Sequence, residues 1–295
     1  MKIRQIISNL FLLTGFWMLI SCEKDATIPL PKSDKKLVLT CFLSPDEDTI
    51  LAILSWSKPI FGMDNNISLL VTDATVQIAG PDGIKTFTYD PNADDYQIPQ
   101  NQVQIRPGES YTVSAQMPSG LMVKGTCKVP LRYENQFQTQ VVDSAIMYTD
   151  SLGTNIYSYL IKTLFQPASP GESWYRLGIY QRFWINNFPD KPAVENWFPV
   201  DYELEERFFV SSGPSSSPYS VSVPIFPRNQ EEQDSVSTLK FVLIQGDQAY
   251  YNFHTSVFNF EGDNPFAEPV RLFTNVENGL GVVCSYLKES KTIQK

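Results

Sequence analysis

The residue with the clearest chemistry in this chain is a cysteine. Leu19-Ile20-Ser21-Cys22 closes an N-terminal stretch that carries Lys2 and Arg4 and then an apolar run through Phe11-Leu12-Leu13 and Phe16-Trp17-Met18. A positive start, a short apolar core and small residues before a cut make a secretory signal. A Cys directly after Ser21 offers a thiol for acylation, so the spacing predicts a signal peptide over 1–21, cleavage before Cys22 and a lipid anchor on Cys22. The apolar run is broken by Thr14-Gly15 and is shorter than the roughly 20 residues a membrane-spanning helix needs.

Other candidate groups are weaker. Asp90, Asn92 and Asp94 in DPNADD copy the first ligands of a calcium loop, where alternating oxygens wrap a hard cation. The sixth position is Asp95 rather than Gly and the twelfth is Asn101 rather than Glu, so a hairpin turn between Tyr89 and Tyr96 is the simpler account. The single histidine, His254, has no HExxH or CxxC companion and is expected to be structural. Glu203 with Glu205 or Glu206 has the residue types of a glycosidase pair, which needs two acids facing each other across a cleft. Solvated surface charge is their default reading. There is no GxSxG turn for a nucleophilic serine and no glycine loop to cradle phosphate. The expectation is a chain with no catalytic residue, no metal and no cofactor.

Aromatic residues gather in Trp174, Tyr175, Tyr180, Phe183, Trp184, Trp197 and Phe198. Alternate members of a strand must face a core. The run from Phe183 and Trp184 through Asn186-Asn187 to Phe188-Pro189 reads as an aromatic loop, so Phe183, Trp184 and Phe188 are the candidate protein contact.

Removing Lys2 and Arg4 with the signal takes the formal charge from -9 to -11. An acidic body disfavours nucleic acid and anionic head groups, which are bound by neutralising phosphate. Membrane attachment must then come from lipid on Cys22. Residues 22–36, charged and broken by prolines, have the composition of a flexible tether, with a reach of about 45 Å at about 3.3 Å per residue.

The elements that position these groups are expected to be mainly β. Residues 37–130 hold LVLTCFL, TILAILSW, ATVQIAG, IKTFTY, SYTVSAQ and LMVKGTCKV, with turn signals at Gly80-Pro81-Asp82-Gly83, Pro107-Gly108 and Pro118-Ser119-Gly120. Short strands at this spacing predict an N-terminal immunoglobulin-like β-sandwich. Residues 131–295 are expected to form a second β-rich domain, with strands in IYSYLIKTLFQ, SWYRLGIYQRFWI, YSVSVPIF, TLKFVLIQ and GVVCSYL. Its one C-terminal helix, near 247–260, is opened by Asp247 as N-cap and packs a face of Tyr250, Phe253, Val257 and Phe260. The segments 211–220 and 228–237 read as exposed loops. Of Cys41, Cys127 and Cys284, the first two fall in the first and last strands of the sandwich, so a bridge between them and three separate buried thiols both remain open.

The strands LVLTCFL, ATVQIAG and SYTVSAQ and the closing NPFAEPVRLFTNVENGLGVVCSY, with Asn264-Pro265-Phe266, Pro269, Asn275 and Gly279-Leu280-Gly281, resemble the Bacteroidota lipoprotein family catalogued as domain of unknown function 4249. The resemblance implies an outer-membrane lipoprotein, facing the cell exterior, that assists a TonB-dependent transporter in nutrient capture and is not an enzyme. It supplies no catalytic residues. A surface enzyme processing glycans or peptides, or an adhesion or scaffold module, are the alternatives. The prolines and glycines of the closing pattern are expected to be structural.

Overall fold

The computed structural model describes residues 35–58, 68–134, 136–149, 151, 153, 155–185, 194–200, 207–213, 218–225, 238–260 and 272–294. The signal segment, Cys22, most of the tether, Phe188, the Glu203 group and the NPFAEP run lie outside them. Within them the protein is mainly β, with strand alternation setting what is buried.

In β1 (Leu37–Leu43), Leu37, Leu39, Cys41 and Leu43 are buried, and in β2 (Thr49–Trp56) the same parity buries Ile50, Ala52 and Leu54. Next come β3 (Thr75–Gly80), β4 (Gly83–Thr86), β5 (Thr88–Asp90), β6 (Asp95–Pro99), β7 (Ser110–Gln116) and β8 (Met122–Lys128). Strands β1-β2-β6-β5 lie in one sheet, and β16 (Val276–Glu277) with β8-β7-β3-β4 makes another. Val76, Ile78, Tyr111, Val113 and Val123 of the second sheet share one core with the buried row of β1 and β2. Two sheets with a common interior form a β-sandwich.

The remaining strands are β9 (Gln136–Thr149), β10 (Asn155–Gln166), β11 (Ser173–Ile185), β12 (Val194–Pro199), β13 (Phe208–Ser211), β14 (Tyr219–Ile225), β15 (Thr238–Gly246) and β17 (Leu280–Gln294). A three-stranded sheet, β14-β10-β9, supplies Ile161 and Phe165 to cores shared with Tyr175, Leu177 and Ile179 of β11 and Leu239, Phe241 and Leu243 of β15.

Strand β17 pairs across the expected division at 130. Val38–Leu43 run parallel to Leu280–Ser285, whereas Thr238–Gly246 pair antiparallel with Tyr286–Gln294. One nine-stranded sheet, β12-β11-β15-β17-β1-β2-β6-β5 with β13 beside β11, therefore runs through both halves. The N-terminal sandwich is completed by residues that the sequence reading assigned to the second domain.

The start of β17 explains part of the family-like pattern. Gly281 has φ +104, and a Cβ there would stand 2.2 Å from the Leu39 carbonyl oxygen, so only glycine lets the two strands approach. Asn275 serves as a substitute strand neighbour: its Oδ1 accepts from Val283 N–H at 2.9 Å and its Nδ2 donates to Val283 O at 2.7 Å.

One further expectation changes, and one open choice closes. The 211–220 loop begins inside the fold, because Ser211 closes β13 fully buried, and Tyr219 and Ser220 already belong to β14. Cys41, Cys127 and Cys284 are separate buried thiols, not a bridge. Burial pushes the Cys41 thiol up to about 12.

Candidate functional site

The cores described above lie on one face of the nine-stranded sheet; its other face carries the helix α1 (Gln248–Phe258). Asp247 is the N-cap, as the sequence indicates, with Oδ1 accepting from Tyr250 N–H at 2.7 Å. Tyr250 is buried and Phe253 packs with it against Phe42 of β1 and Val282 and Cys284 of β17. The predicted helix face holds only for its first turns, because Val257 is 44% and Phe260 49% exposed.

Between α1 and strands β11, β15 and β17 lies an open cleft of about 460 Å³ lined by Phe42, Arg176, Tyr180, Lys240, Tyr250 and His254, with Tyr286 and the Glu47–Lys288 pair at one side. Strand parity brings these groups together. Arg176, Gly178 and Tyr180 alternate with the buried Tyr175, Leu177 and Ile179, so they share the cleft face. Lys240 is directly opposite Tyr180 across the β11–β15 ladder. The Tyr180 ring lies over Gly178, where a Cβ would stand 2.8 Å from it, so the missing side chain leaves room for the ring.

The cations rest on aromatic faces. Arg176 lies 5.7 Å from the Tyr250 ring centroid, and the Lys240 ammonium lies 4.4 Å from the Trp197 ring and 5.6 Å from Tyr180. Lys288 has its charge matched by Glu47, 2.5 Å away, and the Tyr286 hydroxyl also donates to Glu47 at 2.9 Å. Arg176 forms no salt bridge among the described residues.

His254 sits within this aromatic cluster, its ring 4.3 Å from Tyr250, 5.6 Å from Phe253 and 5.7 Å from Phe42. Burial, with the charge of Arg176 adding to it, lowers its pKa to about 4, so the imidazole is neutral near pH 7. Its Nε2 is buried with no hydrogen-bond partner among the described residues. The structural role expected for His254 is partly right, since the ring packs as a core ring does. The same ring also lines the cleft, which sequence reading missed.

The other sequence candidates lie elsewhere. Asp90, Asn92 and Asp94 sit at the β5–β6 hairpin, where Asp90 Oδ1 accepts from Asn92 N–H at 2.9 Å and Tyr89 donates to Asp94 Oδ1 at 3.0 Å. Their oxygens therefore close a turn, the simpler account. Phe183 and Trp184 are not in a loop at the backbone: they end β11, paired with Asn196 and Glu195 of β12. Arg176 and Lys240 escaped notice because a single basic residue at alternate strand positions looks like a solvated face. The parity of SWYRLGIYQR and TLKFVLIQ, read together, was the available signal.

Fold and cleft define a mainly β protein whose nine-stranded sheet carries a helix on one face, with an aromatic, basic hollow between them. The chain belongs to the family described as Domain of unknown function (DUF4249), whose model matches residues 23–292. A comparison with curated proteins finds no match. Among solved structures it is similar to the crystal structure of a Salmonella alpha-2-macroglobulin mutant at 12% identity and TM-score 0.25, over 77% of this chain and 14% of that one.

Proposed function

We propose that this chain is a non-enzymatic lipoprotein, held by acyl chains on Cys22 at the outer membrane and facing the cell exterior, whose β body captures a nutrient for a TonB-dependent transporter. The observation that carries the reading is Leu19-Ile20-Ser21-Cys22 placed directly before a tether and a β body. Each buried CH₂ contributes roughly 0.8 kcal/mol, so several acyl chains suffice to hold the protein on a bilayer. Among the described residues no helix is long and apolar enough to cross a membrane. The cleft supplies a place for a small molecule, and β11, which carries Arg176 and Tyr180, ends at Phe183 and Trp184, our candidate transporter contact with Phe188. The test is Cys22→Ala: the variant should leave the membrane fraction, and affinity purification of the acylated protein should recover a β-barrel transporter. Full membrane retention of the variant, or recovery of no barrel, refutes the reading.

A further inference from the structure

Arg176 is a partly buried cation with no carboxylate partner among the described residues, in a chain whose formal charge is -9. A charge withdrawn from water is costly unless something answers it. The Tyr250 ring answers it in part, at 5.7 Å. A cation–π contact leaves the guanidinium fork free to take a planar, two-oxygen acceptor. Beside it, the neutral His254 ring lines the same cleft, its buried Nε2 without a hydrogen-bond partner among the described residues. Lys240 adds a second positive group on the same face. The remaining walls are the rings of Phe42, Tyr180, Tyr250 and Tyr286, the side chains of Val242 and Ile244, and Glu47 with its charge matched by Lys288. At about 460 Å³ the hollow lies in the size range of small-molecule sites.

We propose that this cleft binds a small aromatic carboxylate, its anionic end on Arg176, near the His254 ring, and its own ring against the tyrosines. The cations repel positively charged ligands, and a neutral ring leaves Arg176 unanswered. The proposal deepens the capture reading and rests on it only for why a ligand is bound. Titration reads the cleft, whereas membrane release and barrel recovery read the anchor and the partner, so either can fail with the other standing.

Because the chain has one histidine, an imidazole carbon label reports this cleft and nothing else. The experiment uses the full-length protein in detergent, ¹³C-labelled at His254, titrated with benzoate and separately with benzyl alcohol, the same ring without the charge. Benzoate should give a saturable shift and raise the pH at which His254 titrates, because an adjacent anion favours imidazolium. Benzyl alcohol should bind at least about tenfold more weakly, and Arg176→Gln should lose at least about tenfold for benzoate. The proposal is overturned if benzoate gives no saturable shift in folded protein, if benzyl alcohol binds equally well, or if folded Arg176→Gln binds undiminished. The comparison of the two ligands stands on the unaltered protein, so a variant that does not fold leaves the test intact.

Discussion

Asp247 Oδ2 accepts both the backbone N–H of Ser285, at 2.9 Å, and its hydroxyl, at 2.8 Å, while Asp247 N–H donates to Ser285 O at 2.9 Å. One residue thus caps the helix with one oxygen and continues the β15–β17 ladder with the other. The pair joins the site's helix to β17, the strand that links β15 to β1 in the nine-stranded sheet.

Burial raises Asp247 to about 6, against the pull of its hydrogen bonds from Tyr250 and Ser285. A carboxyl whose folded pKa exceeds its unfolded value of about 3.9 favours folding fully below that value. The contribution is lost as pH rises through about 6. The stability of the native chain relative to Asp247→Asn should therefore fall by about 2–3 kcal/mol between pH 4 and 7. Urea unfolding of both proteins across that range checks it. A pH-independent difference would show that the carboxyl does not titrate there.

His254 works in the opposite direction. Its folded pKa of about 4 lies below the unfolded value, so its contribution is present above about 6.5 and lost as pH falls towards 4. Allowing for partial exposure, this is about 1–2 kcal/mol. His254→Phe removes both the titration and the unpaired Nε2, and should gain about 1–2 kcal/mol at pH 7. Unfolding of the variant at pH 5 and pH 7 should show a larger gain at the lower value, and a loss at both would mean that Nε2 has a partner.

Gly281→Ala should cost at least about 3 kcal/mol, because a left-handed backbone and a clash with a carbonyl oxygen add together. Gly83→Ala, at φ +90 but with open space around the Cβ, is the matched control for conformation without contact. Thermal melting of the two variants separates the effects; equal losses would place the whole cost in φ.

Replacing Phe183, Trp184 and Phe188 with Ser tests the transporter contact. Recovery of the co-purifying barrel should fall several-fold, while benzoate binding at Arg176 persists. A melting point lowered by many degrees would assign the rings to packing at the end of the β11–β12 ladder instead.

The sandwich strands were legible because each buries one parity: TILAILSW and SYTVSAQ span β2 and β7 residue for residue. β9 was missed because no apolar alternation marks it; Val142, Ile146, Met147 and Tyr148 are all exposed. The parallel β1–β17 pair was hidden for a different reason, since local periodicity says which face a strand buries but not which distant strand lies beside it. The cleft needed that pairing, because Phe42, Arg176 and His254 come from three separate regions of the sequence.

β1 is the first described strand and β17 the last, and they are sheet neighbours. Until residues 280–294 are in place, β1 has one open edge and β15 lacks one of its two neighbours. Contacts so far apart in sequence form slowly. The nine-stranded sheet therefore closes only when its most distant strands meet, and its two parts should melt in a single cooperative step.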